Sequence, residues 1–376
     1  MLEFLGRPLQ SWPGRIAAAV VLVIGVIVGI VASSGGSDET EVVIQVEATP
    51  TEVPTATPEP TPTPEPTATP EPTATPTPTP TPTPGPKSPL NGTDVEGPIT
   101  DRLLTVKIDN HANARPQSGI QHADMMIEIW VEGITRFLSV WQYNDAEFLG
   151  PIRSMRPTDF AIQNAWQSTF INSGGQGWVQ GIGNGSNVNY YVEPGGSFRI
   201  SSRFAPHNLY GDTTVFRTLD GRGDYEEPLE PLWNFGEMPE GAEAATSIRT
   251  NWRSGYTVDW TWNGEVYERT TQGAPHNYLD DENEPQRITA ETLVMLEMDV
   301  FSACGGSGSC VPASITTGSG PAWVFADGVM VTGTWTRESE NDWFVLTAED
   351  GTELAVPPGQ LWLVLPITGG VVPGAE

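Results

Sequence analysis

Proline and threonine alternate through residues 49–86, and this stretch decides how much of the 376-residue chain can fold. It holds 15 prolines, interleaved with Thr, Glu and Ala. Proline fixes φ and lacks a backbone donor, so neither a helix nor a sheet can propagate through the stretch. We predict a disordered, extended spacer over residues 34–87, with a reach on the order of 100 Å. About 290 residues remain, which suffices for two domains of ordinary size.

A run of 17 residues without a charge, 16–32, precedes the spacer. This length is near the lower limit for a membrane-spanning helix. Arg7 and Arg15 come before the run and acidic residues follow it, so the positive-inside rule places residues 1–15 in the cytoplasm. We predict a single-pass anchor in the cell membrane at residues 16–33, with the folded domains extracytoplasmic. A cleaved signal peptide is the alternative, because small residues follow the run, and it would also export the protein.

The formal net charge is −29, and the acidic residues are unevenly distributed. Residues 101–217 contain nine bases and ten acids, whereas residues 218–376 contain six bases and 26 acids. This acidity argues against nucleic acid as a partner and against adsorption on an anionic membrane surface. We interpret the acidic half as maintaining solubility, with attraction of a cation or a basic partner as the alternative. The near-neutral part is where arginines can meet an anion.

The two cysteines, Cys304 and Cys310, enclose the flexible sequence GGSGS. In an oxidising compartment we predict a disulfide between them, which contributes roughly 2 kcal/mol on the chain-entropy argument. A catalytic thiol is less favoured, since no histidine lies near either cysteine in the sequence.

The folded part divides into two regions of different pattern. Residues 88–240 contain strand-like apolar runs, LLTVKI, MMIEIWV and RFLSVWQY, and a helix is predicted over residues 157–166. Residues 241–370 alternate apolar and polar residues around hairpin turns, because Asn-Gly and Asp-Gly supply the positive φ that tight turns need. The turn signals are Asn263-Gly264, Asp327-Gly328 and Asp350-Gly351. We predict a mixed α/β domain followed by an antiparallel β-rich domain.

Polar side chains cluster near the ends of the predicted strands, where loops commonly carry binding groups. The candidate ligand-binding residues are His111, Arg115, Glu128, Glu132, Arg136, Arg153, Arg156, Arg203, His207 and Asn208. Arg153 and Arg156 are central to this set, and guanidinium groups that grip phosphate or carboxylate predict an anion site. The alternative is that both arginines pair with carboxylates inside the fold, namely Glu128, Glu132 or Asp159.

The sequence contains no motif for a cofactor or a metal. HxH and HExxH spacings are absent, so a metal site at Asp109, His111 and His122 is a weak alternative, and we predict neither a metal nor a cofactor. The glycine-rich stretch 173–185 lacks the Gly-Lys-Ser/Thr of a phosphate-binding loop. No serine elbow and no triad order mark a hydrolase. Whether the protein is an enzyme stays open.

Several long segments resemble the YerB-like family of bacterial envelope proteins. They are KIDNHANARPQSGIQHADMMIEIWVEGITRFLSVW, GPIRSMRPTD and RFAPHNLY in the first region, and GAPHNYLDD, FADGVMVTGTWTR and ELAVPPGQLWLVLP in the second. The resemblance covers roughly residues 88–368 and implies a two-part domain of unknown function that occurs on lipoproteins. It carries over no catalytic residues. This chain departs from the family pattern in lacking a lipidated cysteine and in having Ser173 where we expect histidine.

The sequence supports three hypotheses for function. The first is an exported protein of unknown activity that binds an anionic group of a cell-envelope polymer through the arginine-rich site. The second is a hydrolase or transferase acting on the same polymers, with Glu128 or Glu132 as acid/base and His111 or His207 assisting. The third is a scaffold whose β domain docks other envelope proteins. The expected partners are therefore an envelope polymer or other envelope proteins.

Overall fold

The computed structural model describes residues 85–219, 223–306 and 308–374. Within these ranges no helix is long and apolar enough to cross a membrane. The predicted cytoplasmic segment, the predicted anchor and the spacer apart from its last three residues fall on residues 1–84, which lie outside the described residues.

Strands dominate the described chain. In chain order they are β1 (Leu104–Ile108), β2 (Gln117–Ser118), β3 (Met125–Trp130), β4 (Thr135–Trp141), β5 (Thr169–Asn172), β6 (Asn189–Val192), β7 (Ser197–Arg199), β8 (Leu209–Gly211), β9 (Asn234–Phe235), β10 (Glu243–Ala244), β11 (Ser247–Asn251), β12 (Thr257–Trp262), β13 (Tyr267–Thr271), β14 (Ala274–Pro275), β15 (Asn277–Leu279), β16 (Pro285–Arg287), β17 (Thr289–Ala290), β18 (Thr292–Leu296), β19 (Val300–Cys304), β20 (Cys310–Ser314), β21 (Gly318–Ala326), β22 (Val329–Arg337), β23 (Val345–Thr347), β24 (Ala355–Val356), β25 (Leu361–Leu365) and β26 (Val371–Gly374). The α-helices are short: α1 (Pro157–Gln163), α2 (Gly177–Asn184) and α3 (Thr213–Phe216). Single 3₁₀ turns occur at Ala112–Ala114, Ile120–His122, Arg217–Leu219 and Arg253–Gly255.

Two sheets carry most of these strands. The larger has 11 strands in the order β10-β22-β21-β18-β25-β3-β4-β1-β5-β6, with β23 beside β22. The smaller has six strands in the order β14-β13-β12-β11-β26, with β17 beside β13. Shorter sheets pair β16-β15-β2, β19-β20, β24-β9 and β7-β8.

The predicted fold class, a mixed α/β domain followed by an antiparallel β-rich domain, is wrong. The described chain is mostly β, with 42% strand and 11% helix, and the described residues cluster as one compact unit. Strands of both predicted regions share the larger sheet, because β25 pairs in parallel with β3, Met125 opposite Leu361. The apolar run MMIEIWV indicates a strand that is covered on both faces of the sheet. It does not identify a partner so distant in sequence. The domain boundary near residue 240 stays a prediction.

Individual elements lie close to where the sequence places them. Helix α1 begins at Pro157 as predicted, and Asp159 Oδ2 accepts a hydrogen bond of 2.7 Å from the Arg156 amide. It ends earlier than predicted, and the chain turns at Gln167 (φ 53°) to enter β5. Strands β12 and β13 pair across the Asn-Gly turn, and β21 and β22 pair across Asp-Gly. The predicted disulfide between Cys304 and Cys310 is confirmed.

The larger sheet is buried on both faces, and β3 shows why. Met125, Ile127 and Ile129 belong to the apolar cluster that also holds buried residues of α1 and α2. Met126 and Trp130, on the other face, belong to the cluster shared with the six-stranded sheet. A strand with both faces covered needs apolar residues at nearly every position, which accounts for the run MMIEIWV.

The exception in that run, Glu128, forms a buried ion pair between the two sheets. Arg269 of β13 donates Nη2 to Glu128 Oε1 at 2.5 Å and Nη1 to Oε2 at 2.8 Å, and both side chains are fully buried. The guanidinium carbon lies 5.1–5.4 Å from the ring centroids of Phe137, Trp260 and Trp362. The bidentate geometry and the aromatic rings satisfy a charge that would otherwise be costly to bury.

A hydrogen-bonded chain extends this ion pair towards the end of β1. Arg269 Nε donates to His276 Nδ1 at 3.1 Å, and His276 Nε2 lies 3.1 Å from Gln117 Oε1. Gln117 Nε2 donates in turn to the carbonyl of Asp109 at 3.0 Å. Because Nδ1 accepts, His276 is neutral and donates through Nε2. Burial, followed by the charge of Arg269, holds the pKa of His276 well below its ordinary value.

We predict that Arg269→Met lowers the free energy of unfolding by about 3–5 kcal/mol, because it leaves the Glu128 carboxylate buried without its partner. The double variant Arg269→Met/Glu128→Met should recover most of this loss. Urea unfolding of both variants measures the effect. The control is Arg249→Gln, which breaks an exposed pair with Asp259 and should leave the midpoint nearly unchanged. A single variant as stable as the wild type would contradict the role assigned to the pair.

We also predict that stability falls as the pH drops below about 6.5, the ordinary pKa of histidine. The folded state holds the pKa of His276 below that value, so the unfolded state takes up the proton first and gains free energy from it. His276→Gln, which cannot be protonated, should show a flatter dependence of unfolding free energy between about pH 7 and pH 5. Parallel profiles for wild type and variant would refute this. His111, whose pKa is also lowered, contributes equally to both proteins.

Candidate functional site

The strands β1, β3 and β5 run in one direction, so their carboxyl ends meet at one edge of the larger sheet. Strand β1 pairs in parallel with β5, and both β1 and β3 pair antiparallel with β4. Asp109 follows β1, Glu132 follows β3, and Ser173 follows β5. Crevices outside the carboxyl ends of parallel strands are where open sheets commonly bind ligands.

The segment that carries Arg153 runs across this edge. The Arg153 amide donates to the Lys107 carbonyl at 2.8 Å, and its carbonyl accepts from the Ser173 amide at 3.0 Å. Arg153 is thus held between the ends of β1 and β5. Beneath it, Lys107 Nζ lies 2.6 Å from Asp159 Oδ1, with both side chains fully buried. Burial lowers the pKa of Lys107, and the charge of Asp159 opposes that shift.

Asp109 organises one half of the edge. Its carboxylate Oδ2 lies 2.7 Å from His207 Nδ1 and 3.3 Å from Arg153 Nε. Its other oxygen accepts a hydrogen bond of 3.0 Å from the His111 amide. A single buried carboxylate therefore positions two side chains and the start of the following loop.

The imidazole rings of His111 and His207 stack at 4.6 Å with an interplanar angle of 16°. His207 donates from Nδ1, because the Asp109 carboxylate can only accept. His111 Nδ1 accepts from the Asn113 amide at 3.1 Å. Burial, then the neighbouring His207, lowers the pKa of His111, so this ring is neutral near pH 7. In the described part of the chain, neither Nε2 atom has a hydrogen-bond partner, and both can meet a ligand.

Glu132 and two arginines form the other half. Arg156 Nε donates to Glu132 Oε1 at 2.7 Å, and Arg136 Nη2 lies 3.9 Å from Oε2. Burial, and next the charge of Arg156, lower the pKa of Arg136 to about 10. Burial alone would raise the pKa of Glu132, but the hydrogen bond and charge of Arg156 bring it below its usual value. Glu132 is therefore an ionised partner for the arginines.

The arginines hold backbone carbonyls as well as carboxylates. Arg136 Nη1 donates to the Ser154 carbonyl at 3.0 Å, and Arg156 Nη1 donates to the Met155 carbonyl at 2.7 Å. Ser154 Oγ lies 3.4 Å from Ser173 Oγ. Both halves therefore meet on the segment that contains Arg153.

We call this assembly the arginine site. It consists of Asp109, His111, Glu132, Arg136, Arg153, Arg156 and His207. Its arginines outnumber its carboxylates by one, even with both histidines neutral.

Buried donors at the arginine site have no acceptor among the described residues. Arg136 Nε makes no hydrogen bond. Arg153 Nε lies in ion-pair distance of Asp109 but is not aligned for a hydrogen bond. Buried side-chain atoms without a partner occur elsewhere in the described chain as well, for example at Trp260 and Trp362. Here, however, both atoms are N–H donors of guanidinium groups, and an oxyanion accepts hydrogen bonds from such donors.

The other candidate residues are bound to groups outside the arginine site. Arg115 donates to Asn110 and to the Tyr256 hydroxyl, and burial lowers its pKa. Arg203 donates to the carbonyls of Asn113 and Pro116. Asn208 accepts from Arg199 at 2.9 Å. Glu128 is fully buried in its ion pair with Arg269, so neither of its carboxylate oxygens is exposed to a ligand.

The candidate set omitted residues that prove structurally central. Asp109 appeared only as a weak metal ligand, although a polar residue directly after a strand is itself a signal. Arg269 and His276 carry no local signal, because their partners lie in the other half of the chain. In the described ranges no group of three His, Cys, Asp or Glu side chains is placed to hold a metal.

Comparison with known proteins identifies the chain. Residues 90–225 match the N-terminal domain, and residues 247–363 the C-terminal domain, of the family described as "Protein of unknown function (DUF3048)". A Bacillus subtilis protein named "Putative lipoprotein YerB" is 24% identical over 304 residues, covering 74% of this chain and 85% of the relative.

The crystal structure of YerB from Bacillus subtilis has a similar fold. Its TM-score with this chain is 0.64 at 24% identity, and the match covers 77% of this chain and 99% of the other. At this level of identity, the similarity shows a shared fold and nothing about function. Together, the two domain matches and the relative show that the chain belongs to the two-part DUF3048 family that includes YerB.

Proposed function

We propose that this protein acts at the cell envelope, where the arginine site binds an anionic group of an envelope polymer. The observation that carries the proposal is the partly exposed guanidinium of Arg153, which makes an ion pair with Asp109 but no hydrogen bond, in a site where the buried Arg136 Nε also has no acceptor among the described residues. The excess positive charge of the site supports it. The relative named a lipoprotein, together with the disulfide, supports an envelope location.

Arg153 is the residue that meets the anion most directly. Its side chain is 21% exposed, and among the described residues no group accepts a hydrogen bond from its guanidinium. Arg156 is bound to Glu132 and to two backbone carbonyls, and Arg136 is nearly buried. These two raise the local potential, while Arg153 offers free N–H groups in a fixed position.

We expect Arg153→Gln to weaken binding of inorganic phosphate and of a phosphate-bearing wall polymer by about tenfold or more, because charge-assisted hydrogen bonds are lost. Isothermal titration with phosphate, and retention on the purified polymer, measure this. The affinity of the wild type should fall with added salt. Arg249→Gln, which removes the same charge from a distant exposed position, is the matched control. Unchanged binding by the Arg153 variant at an unchanged melting temperature would remove the proposal.

A second function, acid/base catalysis on the bound polymer, is favoured by the contact between Asp109 and His207. A carboxylate on Nδ1 fixes the imidazole so that Nε2 can accept a proton. Glu128 and Glu132, the two carboxylates predicted as acid/base groups, are not available for this role. Glu128 is buried in its ion pair with Arg269, and Glu132 is paired with Arg156.

One assay distinguishes anion binding from acid/base catalysis. We expect the wild type to release no product from the phosphate-bearing polymer, and His207→Gln to retain phosphate binding. Product that forms with the wild type and disappears with His207→Gln would instead establish catalysis. The release of soluble fragments, followed by mass spectrometry, is the measurement.

A further inference from the structure

Phe204 stands out on the described surface because its side chain is 91% exposed. The other large hydrophobic side chains exposed there are 37–52% exposed and so keep about half of their area in contact with the protein. A phenyl ring left almost wholly in water is an unfavourable feature that a ligand can relieve by covering it.

The loop that carries Phe204 is held firmly against the protein. Arg203, the preceding residue, donates to the carbonyls of Asn113 and Pro116 at 3.1 and 2.5 Å. The Phe204 carbonyl accepts a hydrogen bond of 3.0 Å from the His207 amide, which closes a turn. His207 is in turn fixed by Asp109. The backbone at Phe204 is therefore held in place by hydrogen bonds on both sides of the residue.

This turn places the backbone of Phe204 close to the arginine site. The first and fourth residues of a turn, here Phe204 and His207, have Cα atoms within about 7 Å of each other. His207 and Arg153 contact the same oxygen of Asp109, at 2.7 and 3.3 Å. A ligand bound by Arg153 is thus within reach of the stacked histidines and then of the phenyl ring.

The groups along this path differ in chemistry. Arg153 offers donors for an anion, the Nε2 atoms of His111 and His207 offer hydrogen-bonding positions, and Phe204 offers an apolar face. A sugar that carries a phosphate presents an anion, hydroxyl groups and an apolar ring face together. An acyl chain would require an extended apolar patch, whereas the residues around Phe204 include the polar Ser201, Ser202 and Arg203.

We infer that Phe204 stacks on a sugar ring whose phosphate lies in the arginine site, so the ligand class is a phosphorylated glycan. The inference rests on the proposed function, because it names the substrate class of the same site. Phe204 is then a specificity residue that distinguishes sugar phosphates from free phosphate.

The test uses the full chain and two probes, N-acetylglucosamine 1-phosphate and inorganic phosphate, in isothermal titrations. Phe204→Ala should weaken binding of the sugar phosphate about tenfold and leave that of inorganic phosphate unchanged, because the buried ring face is lost. Arg153→Gln should weaken both. Phe301→Ala removes a phenylalanine that is 48% exposed at another place and should alter neither.

The outcomes distinguish this inference from the function on which it rests. If Phe204→Ala binds the sugar phosphate like the wild type while Arg153→Gln weakens both probes, the inference fails and the anion site stands. If Arg153→Gln changes neither, the proposed function fails and the inference with it.

A membrane contact is the competing use of an exposed phenylalanine, and Phe204→Leu separates the two. This variant keeps an apolar side chain without an aromatic face, so it should bind the sugar phosphate as weakly as Phe204→Ala. Binding of the wild type to phosphatidylglycerol vesicles that persists in Phe204→Leu and disappears in Phe204→Ala would overturn the inference in favour of a lipid surface.

Discussion

The ion pair between Glu128 and Arg269 is the contact on which the arrangement of this protein depends. It joins the centre of the larger sheet to the smaller sheet, and both partners are fully buried. A buried ion pair stabilises a protein little more than apolar residues of the same size would. Removal of one partner, however, leaves the other charge buried without compensation, which is strongly destabilising. The pair therefore restricts how the sheets can pack, because only one register brings the guanidinium onto the carboxylate and among Phe137, Trp260 and Trp362.

This restriction reaches the arginine site through hydrogen bonds. The chain from Arg269 through His276 and Gln117 ends on the carbonyl of Asp109, the residue whose carboxylate orients His207 and faces Arg153. On the other side of β1, the buried contact of Lys107 with Asp159 fixes the start of α1, and with it Arg156. The site thus lies at the ends of strands, and two of its arginines, Arg136 and Arg156, are held by backbone carbonyls that do not change with pH or salt. Preorganised donors of this kind lose little entropy when an anion binds.

Local structure could be predicted from the sequence because its causes are local. Pro157 and Asp159 determine where α1 begins, and the Asn-Gly and Asp-Gly pairs determine where hairpins turn. The pairing of β3 with β25 could not be predicted, since one apolar run fits beside another without any mark of register. The candidate site could be predicted in part. Arg153 and His207 lie near strand ends and contact Asp109, as their place in the sequence suggests. Arg115 and Arg203 instead donate to backbone and side-chain groups that no spacing in the sequence indicates.

The anion binding that we propose is compatible with an acidic protein because charges act only over short distances. At physiological salt a charge is screened over roughly 8 Å, so most of the acidic residues of the second half do not reach the arginine site. Within the site the arginines outnumber the carboxylates, and their partial burial makes each charge more effective than it would be in water. The remaining acidic surface repels an anionic polymer wherever it is approached without a specific contact. Under the proposed function, the net charge opposes non-specific adsorption of an anionic polymer and confines its binding to the arginine site, which increases specificity more than affinity.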